Sequence, residues 1–246
     1  MAHVLGIDIG GTGIKAAPVD TTTGQLTAPR QKLPTPQPAT PDSVSEVVER
    51  LVKSLGWTGP AGVTFPGVVI NGVIHTAANM DHSFVGIDAV KAFGSESNLS
   101  VTVINDADAA GVAEMRFGAG KGVGGTVLLL TLGTGVGSAL FVDGVLVPNT
   151  EFGHIEIRGK DAEKRASEHA REERDLSWDT WAGHVDEYLA QMEALLSPGL
   201  IIIGGGVSRK SDKFLPFLTG LRAKVVPAAM LNDAGIVGAA LAVKAS

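Results

Sequence analysis

Two stretches of this 246-residue chain share one pattern: a strand, a glycine turn containing Thr-Gly, and a second strand. They are Ile7 to Asp20 (IDIGGTGIKAAPVD) and Leu130 to Val142 (LTLGTGVGSALFV), matched once one glycine is gapped. A duplicated two-lobe protein would place one such turn in each half, and thirteen low-complexity positions can also align by chance. Around them, short apolar runs alternate with longer amphipathic ones, the signature of α/β architecture. Val4 to Ile9, Ile14 to Val19, Ala61 to Phe65, Val101 to Ile104, Val127 to Leu132, Ser138 to Val142 and Leu200 to Ile203 read as strands, several of them buried on both faces. Helices fall between them. Asp42 or Ser43 caps one through Leu55, Asp106 to Phe117 forms another, Trp178 to Leu196 is long, and Asn232 or Asp233 caps an Ala-rich last helix. Leu33 to Asp42 packs four of the 12 prolines into ten residues, which predicts an extended connection rather than a strand interior.

At this length the chain buries about 70 to 75% of its unfolded surface and needs no staples. The formal net charge of -6 gives no whole-chain support to counterion-release binding of nucleic acid. With no Cys, disulfides, iron-sulfur clusters and thiolate zinc sites are excluded. The N-terminal apolar run meets Asp8 and glycines without a preceding basic stretch, so a secretory signal is not expected and the cytoplasm is. Gly122 to Val142 has membrane length, but its six Gly fit strand, turn and strand, so no membrane partner is expected.

A turn such as Gly10-Gly11-Thr12-Gly13 can aim successive backbone N–H groups into one concavity if glycine supplies positive φ, and such a nest suits an anion. Thr12 adds a hydroxyl and Lys15 a mobile charge, both appropriate to phosphate. For one such turn alone, an ordinary hairpin turn with a solvated Lys is the better explanation. The second turn, Gly133-Thr134-Gly135, favours two jaws on one phosphate chain. Gly204, Gly205 and Gly206 end the apolar strand Leu200 to Ile203, where ligands bind in α/β sheets, although tight packing would also explain them. Gly120, Gly122 and Gly125 satisfy G-x-G-x-x-G but follow a helix and precede a strand, the reverse of a dinucleotide site.

Ile104-Asn105-Asp106-Ala107-Asp108 ends a buried strand in polar residues and opens a helix. Asp106 or Asp108 could cap that helix, which leaves one carboxylate available as a general base for a hydroxyl attacking a phosphoryl group, with Asn105 aligning the acceptor. Glu151 and His154, around Gly153, suit vicinal sugar hydroxyls, one accepting and the other able to donate. Arg158 to Asp175 mixes six basic and six acidic residues and reads as a solvated helical face.

Seven motifs in order, IDIGGTGIK (Ile7 to Lys15), TFPGVV (Thr64 to Val69), INDADAA (Ile104 to Ala110), TLGTGVGSAL (Thr131 to Leu140), EFGHIEI (Glu151 to Ile157), IIIGGGVS (Ile201 to Ser208) and NDAGIVGAAL (Asn232 to Leu241), resemble the ROK (repressor, open reading frame, kinase) family of sugar kinases. The resemblance runs over nearly the whole chain. It implies an actin-like, ribonuclease-H-like duplicated α/β fold of two lobes with a cleft, residues 1–106 in one and 107–231 in the other, and a last helix, 232–246, returning to the first. It implies Asp106 as catalytic base, and Asn105, Glu151, His154, Glu163, Gly67 and Asn79 as sugar-binding residues. Gly10, Gly11, Thr12 and Lys15 would form the first phosphate turn, with Asp8 placing hydrated Mg²⁺. Gly133, Thr134 and Gly135 would form the second, and the adenosine side of ATP would lie near Gly204, Gly205 and Gly206.

Most of the family carries a zinc-binding Cys cluster after the Gly-His pair. This chain instead reads GKDAEKRAS (Gly159 to Ser167), which keeps Glu163, Ala166 and Ser167 and removes the thiolates, so no zinc is expected. That form, with the run Leu176 to Leu189 (LSWDTWAGHVDEYL), is similar to the family's polyphosphate glucokinases and polyphosphate/ATP glucomannokinases. No winged helix precedes Met1, which speaks against the repressor branch. The resemblance therefore implies a kinase for the 6-hydroxyl of glucose, with mannose open, using inorganic polyphosphate with ATP as a second donor, as a homodimer. A strictly ATP-dependent hexose or amino-sugar kinase and a non-catalytic sugar sensor are its rivals.

Overall fold

A computed structural model describes residues 3–77, 80–94 and 99–243; Asn79 lies outside them. In chain order the elements are β1 (His3–Ile9), β2 (Gly13–Asp20), β3 (Gln25–Leu26), β4 (Gln31–Pro34), α1 (Pro41–Ser54), β5 (Ala61–Phe65), β6 (Val69–Ile70), β7 (Val73–Ile74), α2 (Ala89–Gly94), β8 (Val101–Asn105) and α3 (Asp106–Phe117). There follow β9 (Thr126–Leu132), β10 (Val136–Val142), β11 (Val145–Val147), β12 (Glu156–Ile157), β13 (Lys160–Asp161), α4 (Glu163–Ala166), α5 (Glu168–Glu173), α6 (Trp178–Leu196), β14 (Leu200–Gly204), β15 (Lys224–Pro227) and α7 (Ala234–Ala242). They form two compact units, Met1–Ala113 with Asp233–Ser246, and Glu114–Asn232. Among the described residues no helix is long and apolar enough to cross a membrane.

The sheet of the first unit runs β3-β2-β1-β5-β8, with β4 also paired to β2. β1 and β2 are antiparallel, whereas β1, β5 and β8 are parallel. Leu5, Ile7, Ile9, Val63 and Phe65 are buried because both faces of these strands are covered, which is why they read as continuous apolar runs. One cover is α1, whose Val44, Val47, Val48, Leu51 and Val52 repeat at helical spacing. Its cap is Thr40, not Asp42 or Ser43: Thr40 Oγ1 accepts from the Ser43 amide at 3.3 Å and Ser43 Oγ accepts from the Thr40 amide at 3.0 Å, a capping box with Pro41 at the first helical position. The proline-rich stretch is likewise not all connection, because Leu33 and Pro34 belong to β4. Gly13 to Ala16 of β2 pair with Pro34 to Gln31, and a proline is tolerated there because β4 is an edge strand.

The other cover is α7. A Cβ on Gly6 would stand 1.9 Å from the Ile236 carbonyl oxygen, one on Gly62 1.8 Å from that of Ala239, and one on Gly238 1.8 Å from that of Ala109. Glycine at these three positions lets the backbone of α7 touch those of β1, β5 and α3. Asp233 occupies the α7 cap position but makes no side-chain cap bond; its carboxylate pairs with Arg30 at 2.7 Å instead.

The second unit's sheet runs β11-β10-β9-β14-β15, with β9 and β10 antiparallel and β9, β14 and β15 parallel. This is the order and sense of β3-β2-β1-β5-β8, so the duplication left open by the sequence pattern extends from one turn to five strands. α6 packs on this sheet through Trp181, Val185, Tyr188, Leu189 and Met192, with Trp181 Nε1 donating to the Ser167 carbonyl at 3.0 Å. The charged run Arg158 to Asp175 is not one solvated helical face. It breaks into β13, α4 and α5, with Ser167 capping α5 and Ala162, Ala166 and Ala170 buried.

Candidate active site

In the first unit the C-terminal ends of the parallel strands carry the polar residues. Asp8 lies opposite Lys15 in the β1–β2 register, and their side chains pair at 2.9 Å. Lys15 is therefore tied down, not the mobile charge expected. Thr64 Oγ1 donates to Asp8 at 3.1 Å and accepts from the Ile9 amide at 3.0 Å, which fixes the carboxylate from β5. A Cβ on Gly235 would stand 2.7 Å from Asp8 Cγ, so the first turn of α7 abuts Asp8, and the positive end of that helix favours a negative charge there.

The turn Gly10–Gly13 is closed by the Gly10 amide donating to the Gly13 carbonyl at 3.2 Å. Buried Thr35, just past β4, donates its hydroxyl to the Gly10 carbonyl and its amide to the Thr12 carbonyl at 3.5 Å. The proline-rich stretch thus braces the turn. Positive φ, on which the nest reading relied, is absent from both Gly10–Gly13 and Gly133–Gly135.

Asn105 is buried at the end of β8. Its Nδ2 donates to the Gly67 carbonyl at 3.1 Å and its Oδ1 accepts from the Asp108 amide at 2.9 Å. Asn105, rather than Asp106 or Asp108, thereby caps α3. One N–H and one oxygen lone pair remain on the amide for a ligand. Gly67 is held to glycine, because a Cβ would stand 2.1 Å from the Thr76 carbonyl oxygen. Asp106, half-buried, opens α3 and accepts the Ala107 amide at 2.8 Å on Oδ1. Asp108, the second carboxylate of the motif, is buried. Of this pair, Asp106 is the one solvent reaches.

The second unit repeats the turn. The Gly133 amide donates to the Gly135 carbonyl at 3.0 Å, and the His169 amide from α5 donates to the Gly133 carbonyl at 3.0 Å. Gly204, Gly205 and Gly206 lie beside it, with Gly204 opposite Thr131. Gly205 has φ +83°, and a Cβ there would stand 2.5 Å from the Leu132 carbonyl oxygen, so packing explains this glycine.

Glu151 and His154 sit on a 3-10 turn held by buried Ser138. Its hydroxyl donates to the Thr150 carbonyl at 2.7 Å and accepts from the Phe152 amide at 3.0 Å. Gly153 is required, since a Cβ would come within 2.3 Å of the Val136 carbonyl oxygen. His154 Nδ1 stands 3.1 Å from Asp161 Oδ2, and Nε2 3.9 Å from Glu151 Oε2. Glu163 turns toward the second glycine turn: its Oε2 accepts from the Val136 amide at 3.4 Å, and a Cβ on Gly135 would meet that oxygen at 2.6 Å. Burial raises the carboxyl of Glu151 above the ordinary glutamate range, His154 opposes this, and Glu163 adds to it. His154, Asp161 and Glu163 bring donor atoms within 4.8 Å of one another, the one such group among the described residues. Asp161, Ser138, Thr64 and Thr35 escaped the sequence reading. Each is an ordinary polar residue whose place depends on a fold contact rather than on a local motif.

The first unit therefore brings together Asp8, Lys15 and Thr64, and separately Gly67 and Asn105 beside Asp106. The second brings together Gly133 to Gly135, Gly204 to Gly206 and Glu163, with Glu151 and His154 alongside. The model of the ROK family matches residues 4–165. A polyphosphate glucokinase from Mycobacterium tuberculosis is 53% identical over 241 residues, covering 98% of this chain and 91% of that relative. Among solved structures, the inorganic polyphosphate/ATP-glucomannokinase from Arthrobacter sp. strain KM is 52% identical with a TM-score of 0.94 over 98% of both chains. A ROK family glucokinase from Streptomyces griseus, solved with glucose and AMPPNP, is 26% identical with a TM-score of 0.81, covering 97% of this chain and 98% of that one.

Proposed function

The chain belongs to the ROK family, and from that premise we propose that it is a sugar kinase that moves a phosphoryl group from inorganic polyphosphate, and from ATP, to the 6-hydroxyl of glucose. The observation that carries this reading is the near-full-length match to the mycobacterial polyphosphate glucokinase, which spans both glycine turns, Asp106 and the Glu151–His154 segment. Asp106 accepts the proton of the 6-hydroxyl as the oxygen bonds to the terminal phosphorus. The bond from that phosphorus to the bridging oxygen breaks, leaving polyphosphate shorter by one unit or ADP, and the proton passes to solvent. Asn105, held by Gly67 and the α3 amide, uses its remaining N–H and lone pair to fix a neighbouring hydroxyl. Glu151 and His154 hold others.

The hard oxygen of Asp8 suits Mg²⁺ bound through water, since Lys15 already occupies one side of the carboxylate. When bound, the ion neutralises charge on the phosphoryl group. Zinc is not required in this reading, because the thiolates of the family's zinc cluster are missing from this chain. Protein prepared without zinc should keep full activity with Mg²⁺ under zinc-selective chelation, and loss of activity would overturn that point. A phosphorylated product that stays behind an apolar barrier fits a cytoplasmic enzyme, and the family relationship supports a homodimer. The reading as a whole is tested by initial rates with glucose and mannose against ATP and ATP-free polyphosphate. Glucose 6-phosphate from both donors is expected; none from polyphosphate would leave an ATP-dependent kinase, and none from either would leave a sugar-binding protein.

A further inference from the structure

The run Leu176 to Leu189 has no part in the chemistry above, yet its first tryptophan is surrounded by positive charge. The Arg171 guanidinium lies 4.2 Å from the Trp178 ring centroid, Lys210 Nζ 5.6 Å and Lys213 Nζ 5.7 Å. Phe214 flanks the same ring nearly parallel at 6.4 Å. Three cations around one indole repel one another, and a ring quadrupole compensates each only weakly at an exposed site. Two have acidic partners: Lys210 pairs with Glu168 at 3.0 Å and Arg171 with Glu172 at 3.4 Å. Lys213 is exposed and has no ion pair among the described residues. The 3-10 segment that carries these lysines, Gly206–Lys213, holds Arg209, Lys210 and Lys213 against the single acid Asp212.

The position of the cluster gives it meaning. The segment begins where β14 ends, at the Gly204–Gly206 turn, with the Ser208 amide and hydroxyl both donating to the Gly205 carbonyl. Glu168 links the two features, since the carboxylate that pairs with Lys210 lies 3.3 Å from where a Cβ on Gly206 would stand. A donor seated at the second unit's glycine turns thus continues toward these cations. For ATP the continuation is a ribose and a base; for polyphosphate it is more phosphate, about one charge per unit. The guanidinium and Phe214 already flank the indole, so the cluster offers an incoming ligand charge rather than a stacking surface.

We propose that Arg171, Lys210 and Lys213, arranged around Trp178, form a subsite for the non-reacting phosphates of an inorganic polyphosphate donor. This rests on the donor reading given above. The indole spaces the cations on a rigid support, and Glu168 fixes Lys210 so that less side-chain freedom is lost on binding. The test uses Lys213→Gln and Lys213→Glu, at one exposed position whose change leaves the fold intact, with Lys213→Arg as the conservative control. The KM for long-chain polyphosphate should rise at least about fivefold in Lys213→Gln and further in Lys213→Glu, because a lost phosphate contact also forfeits its counterion release. Lys213→Arg should restore it, and the KM values for ATP and tripolyphosphate should stay within about twofold. Unchanged use of long polyphosphate by Lys213→Glu overturns the subsite while leaving the donor reading intact. Equal losses with ATP and tripolyphosphate overturn it as well. A wild-type protein active with ATP but not with polyphosphate overturns both.

Discussion

Asp106 stands where a buried strand becomes a helix, and its neighbours explain why it, rather than Asp108, is left for chemistry. Asn105 takes the capping role that either aspartate could have filled, and Asp108 is buried. The sequence displayed the polar strand ending but not this division of labour, which depends on the Gly67 carbonyl 38 residues away. Asp106→Asn should therefore fold normally and bind glucose within a few-fold of wild type, while kcat falls by roughly 10² to 10⁴, the usual cost of losing a general base. Stopped-assay turnover on the folded variant checks this, and near-normal turnover would remove Asp106 from the mechanism. Glu151 supports a second prediction. Burial raises its carboxyl, so the folded protein holds the proton more tightly than the unfolded chain does. The associated stability is present below the ordinary glutamate pKa and is lost as pH rises through the folded value. Sugar binding runs the other way, since an ionised Glu151 accepts a hydroxyl proton more strongly. The glucose KM should climb on acidification with a midpoint above the ordinary glutamate range, and Glu151→Gln should flatten that profile at a higher KM. A profile unchanged by the substitution would assign the titration elsewhere.

The central strands were legible as elements because both their faces are covered and their sequences are unbroken apolar runs. The short edges were not: β15 is four residues ending in Pro227, and β4 holds Pro34, so neither carries enough alternation to register as a strand. Glycine was misread for a related reason. Sequence alone suggested positive φ at the two Thr-Gly turns, whereas several glycines that matter structurally act through space. Gly62, Gly238 and Gly6 let α7 lie against β5, α3 and β1 at backbone distance. A methyl group at Gly238 would have to displace a carbonyl, which no rotamer change relieves. Gly238→Ala should destabilise the protein by about 2 kcal/mol or more, the cost of overpacking a closed contact. Gly183→Ala, on α6 with nothing near its added Cβ, should be neutral or stabilising by roughly 0.5 to 1 kcal/mol. Denaturant midpoints of the two variants make the comparison, and equal midpoints would mean that α7 shifts to absorb the methyl group.

At the scale of the chain, five strands in each unit share one order and sense, so each unit builds a glycine turn between its first antiparallel pair of long strands. The turn motifs made that repeat visible, but its extent was not, since β11 and β15 resemble β3 and β8 in position and not in sequence. The same whole-chain view raises a difficulty for a polyanionic donor, because the protein carries a formal charge of -6. If that global field dominated encounter, added salt would screen repulsion and speed the use of polyphosphate. At 0.15 M ionic strength the screening length is about 8 Å, shorter than a domain radius, so a donor feels mostly the cations it touches. Each phosphate contact then contributes a slope of roughly -0.7 in log affinity against log salt, by analogy with single-stranded nucleic acid. Three contacts and a fourfold rise in salt, from about 50 to about 200 mM, give a loss of roughly tenfold to twentyfold. With ATP, whose charge ends after three phosphates and is largely offset by Mg²⁺, kcat/KM should fall less than about threefold over the same range. Measuring both donors across that series at fixed glucose and free Mg²⁺ decides the matter by sign as well as size. A flat or rising dependence for long polyphosphate would show that no cationic track holds the donor and that its binding energy lies with the terminal phosphates alone.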